Sequence, residues 1–448
     1  MDPHRARSRG GRLPLLPVLA LLAGVLAGAC ATVPPSALAV PAAAPGPFAF
    51  RDPRDGAPPP PLGRRDARIL ETVLAAVGRG DAPGAAKALA ARPRKGDLPK
   101  ALGLAGAYAA ILDGRTEDAK NFLSSATTSH PTWVAAVEAE ADLAAEHGTA
   151  AEALERYRAL LALVPSDLRA KRAVEAFRLR VASSKRAEAE AALAAGDLDA
   201  ARRLAHSLLQ LEPDSAVGLV LLSRTAAAGG RPEDAWTWAR EARKRAPNDP
   251  GVAAFAADAA ARAGRWADAA SLYEGLARSD AAFVAKAEEA RIEFKVQNLP
   301  EAARRAAESA RLTRAQLATL LWWAVPEFRD ALVPPGTEIA VDVVGRADQG
   351  PLVRAIGLGF FQVSPETHRV GSEDPVSREA LAAALRRVAF LAGRGRAPNG
   401  CLAAEAPSPA SLAKCGILAE TPARNATGRE ALRALEKAAR LGREGGTR

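Results

Sequence analysis

The chain has few of the residues from which catalytic and metal centres are built. Its 448 residues include three cysteines, five histidines and one methionine, the initiator. His4, His130, His147, His206 and His368 are scattered, and none pairs with Cys or Glu at metal-ligand spacing. There is no Ser-centred nucleophile elbow. "GLGFF" at 357–361 lacks the strand and the third glycine of a dinucleotide loop, and reads as a helix C-cap. Glu288 and Glu289 read as a solvated helix face. Beyond the N-terminus, no apolar run approaches the ~18 residues of a spanning helix. The net charge of +10 is mild and unclustered, unlike a nucleic-acid footprint. These absences argue against an enzyme, and no cofactor or metal is expected.

What is abundant is alanine, and it is periodic. Gly80, Gly114 and Gly148 are spaced by 34 residues, and Gly196, Gly230, Gly264 and Asn298 repeat the step. Five residues after each comes Ala85, Ala119, Ala153, Ala201, Ala235, Ala269 or Ala303. Pro131, Pro165, Pro213 and Pro247 each follow a glycine by 17 residues. Glycine supplies the positive φ of an interhelical turn. Alanine lets the second helix approach the first. Proline ends the second helix, because the residue before it avoids the helical region. Over residues 66–311 this pattern resembles the tetratricopeptide repeat (TPR) family. The resemblance implies an all-α superhelical solenoid of about seven helix pairs, with a concave groove lined by the first helices. The step from Gly148 to Gly196 is 48 residues; the extra length reads as one overlong helix, or alternatively an inserted one. Where related domains clamp a terminal carboxylate with Lys and Asn, this chain has Leu104 and Tyr108, Glu138 and Asp142, Arg186 and Glu190, Val220 and Arg224. That clamp is absent. Tyr108, Glu138, Asp142 and Arg224 remain as candidate contacts to a polar protein segment or polymer, or as ordinary surface.

The first 29 residues carry Arg5, Arg7, Arg9 and Arg12, then a short apolar stretch, then Ala27-Gly28-Ala29. This is a secretory signal pattern. The small residues before Cys30 resemble the lipobox of bacterial lipoproteins. That resemblance implies cleavage before Cys30 and its lipidation. Ala31 in place of aspartate implies the outer membrane, facing the periplasm. An ordinary signal cleaved after Ala29 is the alternative. Several acyl chains, each CH₂ contributing about 0.8 kcal/mol when buried, anchor firmly. With four arginines and one aspartate removed, the remaining chain carries +7. Residues 30–65 are Pro/Ala-rich without apolar periodicity and read as a semi-extended spacer. At about 3.1 Å per residue it would reach on the order of 100 Å. In an oxidising compartment, Cys401 and Cys415 are expected to form a disulfide.

From Leu312 to the C-terminus a second pattern replaces the first. Three helical stretches align on Arg314, Arg378 and Arg429, each followed by Leu317, Leu381 or Leu432, with Thr313, Ser377 and Thr427 as caps. Thr313-Arg314-Ala315 and Asp342-Val343 resemble the S-layer homology (SLH) module. Gln316 replaces the family's acid, and the proline after Asp-Val is missing. The resemblance implies a small helical SLH-like domain over 312–448 that docks to cell-wall polymer or to a protein. Arg314 and Arg378 would pair with an anionic polymer through their guanidinium forks, or would only tie helix ends together. The whole reads as a non-enzymatic outer-membrane lipoprotein that scaffolds a protein partner. A structural tether between membrane and wall, or an accessory part of an envelope polysaccharide system, are the alternatives.

Overall fold

The computed structural model describes residues 48, 50–56, 62–92 and 98–445. The signal segment and Cys30 lie outside the described residues. Among the described residues all regular structure is helical, apart from two isolated β-bridges. The chain divides into two compact units, Met1–Phe255 and Ala256–Arg448.

Seven helix pairs follow one another. In the first unit they are α1 (Arg64–Gly78) with α2 (Ala82–Ala90), α3 (Lys100–Leu112) with α4 (Thr116–Ser129), α5 (Val134–His147) with α6 (Ala150–Leu163), α7 (Leu168–Ala194) with α8 (Leu198–Leu211), and α9 (Ala216–Ala228) with α10 (Pro232–Arg245). The division between units falls inside α11 (Pro250–Arg262). Its partner α12 (Trp266–Ala277) and the pair α13 (Val284–Gln297) with α14 (Glu301–Glu308) belong to the second unit.

The repeated residues act as their chemistry dictates. Gly80, Gly114, Gly196, Gly230 and Gly264 all have φ between 68° and 79°. Gly148 differs, with φ of −101°. Its turn is held instead by a capping box in which Thr149 and Glu152 satisfy each other's backbone N–H. The seven landmark alanines are at most 2% exposed, so each sits where a helix pair closes. Each of the four prolines follows a second helix by two residues. The residue before each proline has ψ between 69° and 81°, outside the helical range. The long Gly148–Gly196 step is one 27-residue helix, α7.

The second unit continues with α15 (Arg314–Ala324), α16 (Pro326–Asp330), α17 (Gln349–Gly357), α18 (Arg378–Ala392), α19 (Pro409–Lys414) and α20 (Gly428–Gly445). A sequence boundary at 311/312 does not separate cores. Ile292, Val296, Ala303 and Ala306 from α13 and α14 are buried in one cluster with Leu317, Phe328, Leu385 and Leu435. Three chain segments just before α15, α18 and α20 bond in a closed ring: Leu312 N–H to Ala426 O (3.0 Å), Ala426 N–H to Val376 O (3.0 Å) and Val376 N–H to Leu312 O (2.8 Å). Thr313, Ser377 and Thr427 follow directly and cap their helices. In α15, Gln316 does the acid's capping work by accepting from Thr313 N–H at 2.9 Å.

This ring corrects one alignment. Counting from the caps, Gly428 stands where Arg314 and Arg378 stand, and Arg429 is one residue late. A Cβ at Gly428 would lie 1.9 Å from Ala306 O, so no side chain fits there.

Candidate functional site

Three of the four residues expected to face an open groove are covered. Tyr108 on α3 is fully buried, and Glu138 and Asp142 on α5 are each 4% exposed. Asp142 is held by Tyr157 and Arg169, whereas Tyr108 and Glu138 are covered by residues 48 and 50–56, part of a stretch expected as a free spacer. Its isolated apolar groups explain the difference: Phe48 and Phe50 pack against the first unit's core, and Pro53 is buried. Phe48 stacks on Phe50 at 5.6 Å between centroids, and Phe50 meets the Tyr108 ring at 4.8 Å. Polar contacts fix the segment. Tyr108 donates its hydroxyl to Arg51 O at 3.0 Å, and Trp133 donates its indole N–H to Pro53 O at 3.2 Å. The Arg51 guanidinium bonds Glu138 at 2.5 Å and lies 3.7 Å from Asp167.

The electrostatics around Arg51 are acidic. Glu138, Asp142 and Asp167 lie nearby, and Arg169 reaches Glu138 at 3.4 Å and Asp142 at 2.8 Å. Burial pushes the Glu138 carboxyl above the usual carboxylate range, against the opposing pull of Arg51. Burial, then Glu138 and Asp142, likewise raise the Tyr108 phenol. Tyr157 donates to Asp142 at 2.6 Å. The candidate contacts Tyr108, Glu138 and Asp142 are thus engaged within the chain. Arg224 on α9 is half-buried and has no ion-pair partner among the described residues.

In the second unit, Arg314 and Arg378 do not form an open anion site. Arg378 is 5% exposed. Its guanidinium bonds Thr421 O at 2.9 Å, Ala419 O, and the Glu430 carboxylate at 2.8 Å. Four of its five N–H donors tie α18 to α20 and the chain before it. Arg314 donates to Val370 O. Asp342 grips the same stretch from the other side, accepting from Val370 N–H at 2.9 Å and Ser372 N–H at 2.8 Å. Burial would raise the Asp342 carboxyl, but these backbone donors hold it below its ordinary value. Arg378 is thus engaged within the chain where a polymer contact was expected, and Arg314 is tied to the chain before α18. Cys401 and Cys415 are joined as a disulfide, with Cα atoms 6.5 Å apart.

A different cationic feature lies in this unit. A cleft of about 360 Å³ opens between α13 and α20. Lys295 pairs with Glu436, and Arg443 pairs with Glu327 at 2.6 Å. Arg433 and Arg440, two turns apart on α20, are exposed at the cleft and have no carboxylate partner among the described residues. The described residues contain no group of three or more His, Cys, Asp or Glu placed to hold a metal ion. No described helix is long and apolar enough to cross a membrane.

Residues 192–259 match the tetratricopeptide repeat family. The matched stretch runs from the end of α7 through α8, α9 and α10 into α11. No curated protein matches the chain. Several solved TPR structures are similar at low identity. A tetratricopeptide repeat protein from Parabacteroides merdae is 18% identical, over 55% of this chain and 90% of that one, with a TM-score of 0.22. PilW, a type IV pilus biogenesis factor, is 14% identical over 51% and 99%, with a TM-score of 0.21. The TPR2AB domain of yeast Sti1 in complex with pHSP90 is 14% identical over 51% and 95%, with a TM-score of 0.27.

The TPR pattern itself did not reveal which groove is filled. The one available signal was the pair Phe48 and Phe50 in a stretch otherwise dominated by Pro and Ala. The Arg433–Arg440 spacing, two helical turns on α20, is equally visible in the sequence.

Proposed function

We propose that this is a non-enzymatic lipoprotein of the outer membrane, facing the periplasm, whose helix-pair array holds a protein partner. The observation that carries the binding role is the polypeptide segment lying along α3 and α5. Two aromatic side chains and an arginine fill an acidic, aromatic-lined surface there. A stacked array is an extended binding surface rather than a reaction vessel, and it suits such a ligand. The anchoring part of the proposal is supported by the basic and apolar leader and by Ala27-Gly28-Ala29 before Cys30. Crosslinking in the native envelope followed by pull-down should recover a defined protein partner. Cys30→Ala should leave an unprocessed precursor or move the protein out of the outer-membrane fraction. Unchanged fractionation and migration would remove the lipid anchor from the proposal.

A second reading concerns the tail. The cleft between α13 and α20 presents two unpaired arginines, so it favours an anionic polymer of the wall over Arg314 and Arg378 as the contact. The full chain should sediment with purified sacculi at low salt, and Arg433→Ala with Arg440→Ala should weaken this. A full chain that stays in the supernatant would leave the tail as a protein-docking or purely structural element.

A further inference from the structure

The segment at 48–56 sits on the first unit in the manner of a bound ligand. It has no helix or strand of its own. Its contacts come from several elements: the Phe50 ring against Tyr108 on α3, hydroxyl and indole donors to two of its carbonyls, Glu138 on α5 and Asp167 before α7 around Arg51, and Glu71 on α1 at 3.8 Å from Arg54. Arg51 is the nearer of the two arginines to the Glu138 carboxylate, at 2.5 Å against 3.4 Å for Arg169. Glu138 is nearly inaccessible to water, so its surroundings favour a cation from whatever fills the site. The surface therefore selects by chemistry: an aromatic side chain, then arginine, on a backbone whose carbonyls accept from Tyr108 and Trp133.

We propose that the segment around Phe50 and Arg51 is a displaceable internal ligand, and that the partner of this groove presents a segment of the same aromatic-then-arginine chemistry and competes with it. The inference rests on the reading of the array as a holder of protein segments. Only residues 57–61 separate the internal segment from the described chain leading into α1. Being part of the same chain, the internal segment binds as an intramolecular ligand rather than at its bulk concentration. An external segment must overcome this, so the closed protein discriminates strongly against weak competitors.

The test uses the full-length protein in detergent and a fluorescein-labelled peptide with the sequence of residues 46–56. Phe50→Ala with Arg51→Glu should empty the groove. Anisotropy should then show peptide binding at least about tenfold tighter than to wild type, and a peptide carrying Arg51→Glu should not bind. If the double variant loses helicity by circular dichroism, Arg51→Gln alone replaces it, and a gain of peptide binding is again required. Equal binding to both proteins, or none to the opened variant, overturns the proposal and makes the segment a fixed structural cap. That failure would leave partner capture elsewhere on the array intact, where the envelope pull-down would still detect it.

Discussion

The tightest contact in the second unit sits where α20 begins, and a single methyl group tests it. Gly428 N–H donates to Ser309 O at 2.8 Å, and the glycine lies against the last turn of α14. A Cβ there would lie 1.9 Å from Ala306 O, 2.6 Å from Ala307 O and 2.7 Å from Ala307 C. All three neighbours are backbone, so no side-chain rotation can make room. Gly428→Ala must push α20 off α14 by more than about 1 Å in a close-packed core. Overpacking of this kind costs roughly 1–3 kcal/mol, and straining the bond to Ser309 adds about 1 kcal/mol. A net loss of about 3 kcal/mol should lower the melting temperature of this unit by roughly 6–12 °C. Gly275→Ala, inside α12, is the control. Nothing lies within 4 Å of its added Cβ, and replacing a helical glycine should gain up to about 1 kcal/mol. Melts followed by circular dichroism should therefore move in opposite directions. If the two variants melt within a degree of each other, the close approach of α20 to α14 is wrong.

Ala235 is 2% exposed, and its carbonyl accepts the Ser223 hydroxyl at 2.7 Å; Ala235→Leu should cost roughly 1–3 kcal/mol in denaturant melts, and no loss would contradict the repeat packing. Asp342 has a carboxyl pKa below its unfolded value, so its contribution is fully present above about pH 4 and is lost as pH falls through the folded value. Asp342→Asn should abolish that portion of acid sensitivity, and parallel stability-versus-pH curves for variant and wild type would refute it. The Cys401–Cys415 bond closes a short loop and should contribute about 3 kcal/mol; intact-mass analysis after alkylation should find no modifiable thiol at either position in periplasmic protein.

What the sequence made legible was what the backbone itself dictates. Positive φ at Gly80 or Gly230, the helix stop before Pro165 and the buried Ala153 each follow from a local constraint that any helix pair must meet. Long-range satisfaction was not legible. Glu138 and Asp142 were placed on an open face because isolated carboxylates belong in water. Their partners Arg51 and Arg169 are far off in sequence and reach them only through the fold. The same limit explains Arg429. Matching letters aligned it with Arg314, whereas the hydrogen bond from Glu430 N–H to Thr427 fixes the helix start one residue earlier. Arg378, readable as a polymer contact, became structural because Thr421, Ala419 and Glu430 converge on it.

The closed ring of Leu312, Val376 and Ala426 also sets the order in which the protein can mature. Repeats in the first unit pair with their sequence neighbours, so they can form progressively as the chain emerges. The ring cannot, because its three links join Leu312, Val376 and Ala426, which are far apart in sequence. Contacts of such long sequence separation close late and slowly. The second unit therefore waits until the chain through Ala426 is available, leaving the apolar faces of α13 and α14 uncovered in the interval. A chain truncated before residue 426 would lose the ring outright rather than shorten by one element, and those faces would be left for chaperones or proteases of the compartment to meet.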